Sequence, residues 1–372
     1  MISASIETVT SPRLPASGKI PIRNIWYMLL YAWNRAEWRR SFSAEIEAAP
    51  TLDALLARIL AKLVEQRLRV GLGRSYVNER QQLRRLRGRV NFTESLKRLA
   101  FQKAQAFCEF QEFSTNAPKN QIVRSTLLRL VEVGQFGIDA GAGPLRDTLR
   151  RLQRDLEGVD LIELSPVLIQ RQQLGSNDAD YALMLNICYL IITRYMPTER
   201  RGYEWVPAVD RDSLILHDIY ERFVASFYKT HLGGWSVASQ QPLTWPAAMP
   251  SQFLPQMRAD IVLEHRRSGR VVVLDTKFTA SSLVGGQFGN VTFDPAHLYQ
   301  IYAYLRSQEH RSQERAAASG ILLYPTVSHA LSETIEIQGH RITFQTIDLS
   351  MQWQSIHDQL LAIVADQLGA NG

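Results

Sequence analysis

Apolar residues recur at helical spacing in the first half of the chain and switch between helical and strand spacing in the second. Leu55, Ile59, Leu63 and Leu68 mark one amphipathic helix across 52–68, and the stretch 122–133 repeats the pattern. The segment 20–33 is dense in aromatics, and Tyr27, Leu30 and Tyr31 are spaced for a helix packed on several sides. The apolar run 182–193 is interrupted by Asn186 and is shorter than the roughly 20 residues of a membrane helix, so it predicts a buried helix. Before it, residues 146–155 predict a basic helix. Residues 1–19 carry Ser, Thr and Pro without periodicity and predict a flexible lead-in.

Beyond Arg200-Arg201-Gly202 and Pro207 the texture changes, which places a junction near residue 205. Ile215, Ile219, Phe223 and Phe227 form an i,i+4 stripe over 213–231, with Asp212 available as N-cap. Strands are predicted over 258–265 and 270–277, joined by the turn residues Arg266-Arg267-Ser268-Gly269. A helix over 295–308, strands near 321–324, 334–337 and 342–347, and a final helix over 351–368 complete the pattern. The fold class is α/β (α+β): a mainly helical domain over 20–205, then a domain over 206–372 with a mixed central sheet flanked by helices.

Composition narrows this picture. A chain of 372 residues exceeds what one core usually fills, and two domains follow. Net charge is +6 and the pI near 9.3, which favours polyanionic partners. Eight Lys or Arg lie between Arg80 and Lys103 against the single Glu94, a solvated basic face or a polyanion contact. Cys108 and Cys188 alone give neither a disulfide framework nor a multi-cysteine metal site, and both read as small buried residues. With no secretory signal visible and no membrane span, a cytoplasmic location is the expectation.

The candidate chemistry sits on the two paired strands. If their turn is centred between Arg267 and Ser268, Asp260 faces Asp275, and two like charges there are destabilising unless a cation lies between them. Mg²⁺, a hard ion that takes oxygen ligands and keeps several waters, suits such a pair. Lys277 lies two residues beyond Asp275, hence on the same face of the sheet, where an ammonium can position water and stabilise charge on a phosphate. Val271-Val-Val-Leu-Asp275 is almost continuously apolar, the mark of a strand buried on both faces, and charges ending such a strand persist mainly when paired or bound to metal. Gln300 and Tyr304 are i,i+4 neighbours that can point together toward the carboxylates, while Leu298, Ile301 and Leu305 supply the core face. Glu221, off its helix's apolar stripe, is either a third carboxylate or a solvated surface acid, with Asp218 one turn earlier as its rival. His265 and His297 are assigned no chemistry.

This order, a helix acid, an Asp on a strand and Asp-x-Lys on the next, resembles the PD-(D/E)xK nuclease superfamily. Gln300-x-x-x-Tyr304 resembles the motif of its RecB-like branch. The opening Ile20-Pro-Ile-Arg-Asn-Ile-Trp-Tyr-Met-Leu-Leu-Tyr-Ala-Trp33 is similar to the start of the McrC family, as are Arg87-Gly-Arg-Val-Asn-Phe92, Asn120-Gln-Ile-Val-Arg-Ser-Thr-Leu127, and Asp275-Thr-Lys277 followed by Leu298-Tyr-Gln300.

The resemblance implies a Mg²⁺-dependent DNA endonuclease subunit, Mn²⁺ able to substitute, with Asp260, Asp275 and Glu221 as metal ligands and Lys277, Gln300 and Tyr304 beside them. It also implies an AAA+ GTPase (McrB-like) ring as partner, contacted by the N-terminal part through Arg23 and Asn24, and double-stranded DNA carrying modified cytosine as substrate. The chain has no GxxxxGK[ST] motif, and its one Gly-Lys pair, Gly18-Lys19, lacks the upstream Gly, so a motor has to come from that partner. A stand-alone RecB-like repair nuclease and a non-catalytic activator of an AAA+ NTPase are the alternatives.

Overall fold

In the computed structural model, which describes residues 20–137, 141–175, 178–195, 208–247, 251–278, 283–285, 291–326 and 330–369, the opening helix α1 (Ile22–Ala32) is embedded in apolar surroundings. Trp26, Met28, Leu29 and Leu30 are fully buried. The lead-in 1–19 and Arg200-Arg201-Gly202 lie outside the described residues.

The chain divides into two units, Phe42–Gly202 and a discontinuous one made of Met1–Ser41 with Tyr203–Gly372. The anticipated junction near 205 is thus close to the observed crossing, but α1 belongs with the C-terminal unit rather than with the helical domain that follows it in sequence. The reason lies in long-range contacts that no local pattern encodes. Tyr31 packs at ring-centroid distances of 5.9 and 5.6 Å from Phe223 and Phe227, stacks on Trp353, and shares a 2.8 Å hydrogen bond with His231 Nε2.

The unit Phe42–Gly202 contains α2 (Ser43–Glu47), α3 (Leu52–Val70), β1 (Ser75–Leu83), β2 (Arg89–Val90), α4 (Phe92–Lys97), β3 (Ala106–Ser114), α5 (Pro118–Val133), α6 (Ala142–Asp155), α7 (Pro166–Gln170) and α8 (Ala179–Tyr195). Both cysteines are buried in it, as expected. The basic stretch is partly sheet, which helical expectations missed: β3 is flanked by β1 and β2, both antiparallel to it. Charge hid the strand signal, because the arginines occupy the solvent side and find carboxylates across the sheet, Arg80 to Glu109 at 3.2 Å and Arg87 to Glu112 at 3.7 Å. Gly88, at φ +66°, is required where β2 begins, since a Cβ there would lie 2.3 Å from the Glu109 carbonyl oxygen. Asn120 is structural: its amide donates to the Gly73 and Thr115 carbonyls, and it accepts from the Tyr181 hydroxyl.

In the discontinuous unit, α9 (Ala208–His231) is followed by β4 (Trp235–Leu243), β5 (Met257–His265), β6 (Val271–Thr276), β7 (Leu283–Gly285), β8 (Val291–Phe293), α10 (Pro295–Gln308), α11 (Gln313–Ala316), β9 (Ser319–Thr326), β10 (Ser332–Ile337), β11 (His340–Asp348) and α12 (Trp353–Gly369). Because α9 starts at Ala208, Asp212 lies inside it and is not its N-cap. Six strands form a mixed sheet in the order β10-β11-β9-β6-β5-β4, with β9 parallel to both β6 and β11 and the other pairs antiparallel. All six residues of β6 are buried, as a central strand requires. Gly320 on β9 lets α10 approach: a Cβ there would come within 3.0 Å of Ile301.

Asn24 proves to be a buried clamp rather than a contact residue. It is 2% exposed, and its amide donates to the Leu349 and Met351 carbonyls at 2.8 Å each, tying α1 to the chain entering α12. Replacing it by Ala would leave two carbonyls without this donor, so Asn24→Ala should lower stability by about 1–3 kcal/mol. Thermal melting of the full chain checks this, and an unchanged midpoint would show that the clamp is idle.

Candidate active site

The turn Arg266-Arg267-Ser268-Gly269 sets the register of β5 on β6. Gly269 at φ +68° closes it by donating to the His265 carbonyl at 2.8 Å, and Ile261 then lies opposite Leu274, Val262 opposite Val273 and Leu263 opposite Val272. The ladder ends at Ile261 and Leu274; Asp260 and Asp275 are the next residues on their strands, and the charge of Asp260 acts on the Asp275 carboxyl. The two carboxylates have different surroundings. Asp260 is half-buried, and its Oδ2 accepts from the Thr276 backbone N–H at 2.8 Å and the Thr276 hydroxyl at 2.9 Å. Asp275 is 1% exposed, with the Lys277 ammonium 2.6 Å from its Oδ2. That ammonium is the partner of the Asp275 carboxylate among the described residues.

Burial and then the Asp260 charge push the Asp275 carboxyl up to about 6, against the opposing pull of Lys277. Lys277 is anchored a second time: Nζ donates to Gln300 Oε1 at 2.6 Å, and Gln300 Nε2 donates to the Tyr304 hydroxyl at 2.7 Å. The helix α10 thereby delivers both residues of its i,i+4 pair to the strand end, while Ile301 and Leu305 bury in the core beneath. Burial raises the Tyr304 phenol, which stays a neutral hydrogen-bonding group.

Glu221 does not join the two aspartates closely: among the described residues no three His, Cys, Asp or Glu side chains come together tightly enough to hold a metal ion. Its Oε1 instead accepts from the Gln240 amide, and burial followed by the Asp260 charge pushes its carboxyl up to about 7. The three-carboxylate ligand set is therefore reduced to Asp260 and Asp275, with Glu221 near enough to Asp260 to feel its charge. Asp218 forms an exposed pair with Arg222.

Two residues at the site were given no role from sequence. His297 shares a 3.2 Å hydrogen bond with the Tyr324 hydroxyl, and burial together with the nearby Lys277 ammonium lowers its pKa, keeping it neutral. Its position three residues before Gln300, on the same helix face, was the available signal. Gln240 had none.

A cation fits the residues present, because a doubly unsolvated buried carboxylate with a second carboxylate beside it is the donor set a hard divalent ion takes. The same burial has a cost in stability. The Asp275 carboxyl, near 3.8 when unfolded, is raised in the fold, so its contribution is fully favourable below about pH 4 and is lost as pH rises through about 6. In metal-free protein, Asp275→Asn should therefore melt higher than wild type at about pH 8 and converge with it near pH 4. Melting curves across that range check the sign, and a variant that melts lower at both ends contradicts it.

The family model described as McrBC 5-methylcytosine restriction system component matches residues 6–325. The chain is 27% identical over 353 residues to the type IV methyl-directed restriction enzyme EcoKMcrBC of Escherichia coli (strain K12), covering 94% of this chain and 98% of that protein. In fold it resembles a chain of the refined half-complex from a tetradecameric assembly of Thermococcus gammatolerans McrB AAA+ hexamers with bound McrC, at TM-score 0.51 and 16% identity, over 92% of this chain and 76% of the other. With the family model spanning both units, the chain belongs to the McrBC 5-methylcytosine restriction system component family.

Proposed function

We propose that this chain is the nuclease subunit of its restriction system, a Mg²⁺-dependent endodeoxyribonuclease of PD-(D/E)xK type for which Mn²⁺ can substitute. The observation that carries the reading is Asp275: a carboxylate 1% exposed near the end of a fully buried strand, close enough to Asp260 to feel its charge, with the Lys277 ammonium as its partner among the described residues. Asp260 and Asp275 would hold the cation, which when bound supplies a water of lowered pKa and neutralises phosphate charge.

The chain's own groups do the rest. Lys277 has three ammonium donors; one goes to Gln300 and another faces Asp275, which leaves one for a phosphate oxygen or the attacking water. Gln300, held by Tyr304, keeps that ammonium from swinging away, and neutral His297 adds no competing positive charge. A net charge of +6 favours approach to double-stranded DNA, here DNA with modified cytosine, whose reading belongs to the partner.

That partner is an AAA+ GTPase ring of the McrB kind. The Thermococcus gammatolerans assembly of McrB AAA+ hexamers with bound McrC, which this chain resembles in fold, supports the pairing. The Phe42–Gly202 unit offers a surface suited to it. Tyr76 and Phe113 face each other across β1 and β3 at 72% and 54% exposure, on the face of the sheet that also carries Arg80. Exposed Arg23 on α1 remains a contact candidate, whereas buried Asn24 is withdrawn.

The test is reconstitution with an AAA+ protein of the McrB kind, nucleotide, Mg²⁺ and methylated DNA. Asp275→Ala and Lys277→Ala should each cut at least about 100-fold more slowly while stimulating the partner's hydrolysis normally. Substantial cutting by Asp275→Ala would overturn the active-site assignment and leave the non-catalytic activator. Full cutting by wild type without any partner would favour the stand-alone nuclease.

A further inference from the structure

The edge strand β4 breaks its own regularity at one residue. Gln240 sits at φ +52°, in the left-handed region that a non-glycine residue seldom occupies and that strands do not use. The ladder to β5 skips it: Ser239 pairs with Ile261 and Gln241 with Ala259, while Gln240 and Asp260, which stand between those pairs, do not pair. On β5 the disturbance continues, since Met257, Ala259 and Val262 all join one cluster with Ile301, Tyr304 and Leu305, a grouping that strict two-residue alternation would not produce.

A dislocation of this kind in a strand re-aims a side chain, and here the re-aimed group is identifiable. The Gln240 amide donates to Oε1 of Glu221, the carboxylate on α9 that feels Asp260 most closely. Once ionised, an unconstrained Glu221 would turn from Asp260 toward solvent, because like charges repel. The backbone of β4 is thus bent at the one residue opposite Asp260, and the side chain at the bend restrains the acid beside Asp260.

We propose that Gln240 is a positioning residue of the cation site: it holds Glu221 against the repulsion of Asp260, so that this third acid adds negative charge beside the Asp260 and Asp275 pair without entering it. The inference rests on the active-site reading above. It predicts a separation of binding from stability that a merely structural role would not give. Glycine adopts the left-handed conformation freely, so Gln240→Gly keeps the bend and removes only the amide.

The experiment is Mn²⁺ titration calorimetry on the full-length chain, with thermal melting alongside. Gln240→Gly should bind Mn²⁺ roughly 10-fold more weakly than wild type, the usual loss when a carboxylate near a metal loses its hydrogen-bond partner, while melting at or above the wild-type temperature. Gln240→Ala should lose as much affinity and melt lower, because Ala keeps the strain. Glu221→Ala should show the same weakening as Gln240→Gly, and the double variant no further loss, since one residue acts through the other. Wild-type affinity in Gln240→Gly, or additive losses in the double variant, overturn the proposal alone. Wild-type protein that binds no Mn²⁺, or Asp275→Ala that binds it unchanged, overturns the active-site reading together with it.

Discussion

A carboxylate without water is the constraint around which the C-terminal unit is organised. Asp275 lies one residue from the end of a strand of six buried residues, and among the described residues its carboxylate is met by the Lys277 ammonium. Such a group is tolerable in a folded protein only where opposite charge is supplied. Lys277 supplies part of it, and the upward displacement of the Asp275 carboxyl shows that this part is insufficient. The surrounding elements follow from that shortfall. The turn at Gly269 fixes the register that brings Asp260 near, β9 admits α10 closely through Gly320, and α10 presents Gln300 and Tyr304 to keep Lys277 in place.

This arrangement trades stability for chemistry in a way that individual contacts reveal. Thr276 satisfies Asp260 from both its backbone and its hydroxyl, so Asp260 is held oriented, while Asp275 has the Lys277 ammonium as its partner among the described residues. A strand end with both carboxylates satisfied would be more stable and would have no use for a metal. The left-handed Gln240 on the neighbouring edge strand belongs to the same pattern of strain concentrated around one site.

Much of this was legible in the sequence because it is local. The hairpin turn chemistry gave the register of β5 on β6, the apolar run 271–274 announced a central strand, and the i,i+4 spacing of Gln300 and Tyr304 placed them together. What escaped depends on partners distant in sequence or on backbone conformation. Nothing near Asn24 says that its amide will be consumed by carbonyls more than 300 residues away, and so its polarity suggested contact with another protein. Arginines lining β1 and β2 masked the alternation of a sheet in a region that composition made look helical and solvated. Gln240 offered no signal, since its importance lies in a dihedral angle and in the residue it faces.

The central claim is that Asp260 and Asp275 jointly take a divalent cation. Anomalous diffraction from Mn²⁺-soaked crystals of the full chain measures this directly. The account predicts a strong peak within coordination distance of both carboxylates, with Lys277 still anchored on Gln300. Density without such a peak, and Asp275 paired to Lys277 alone at saturating Mn²⁺, would contradict it.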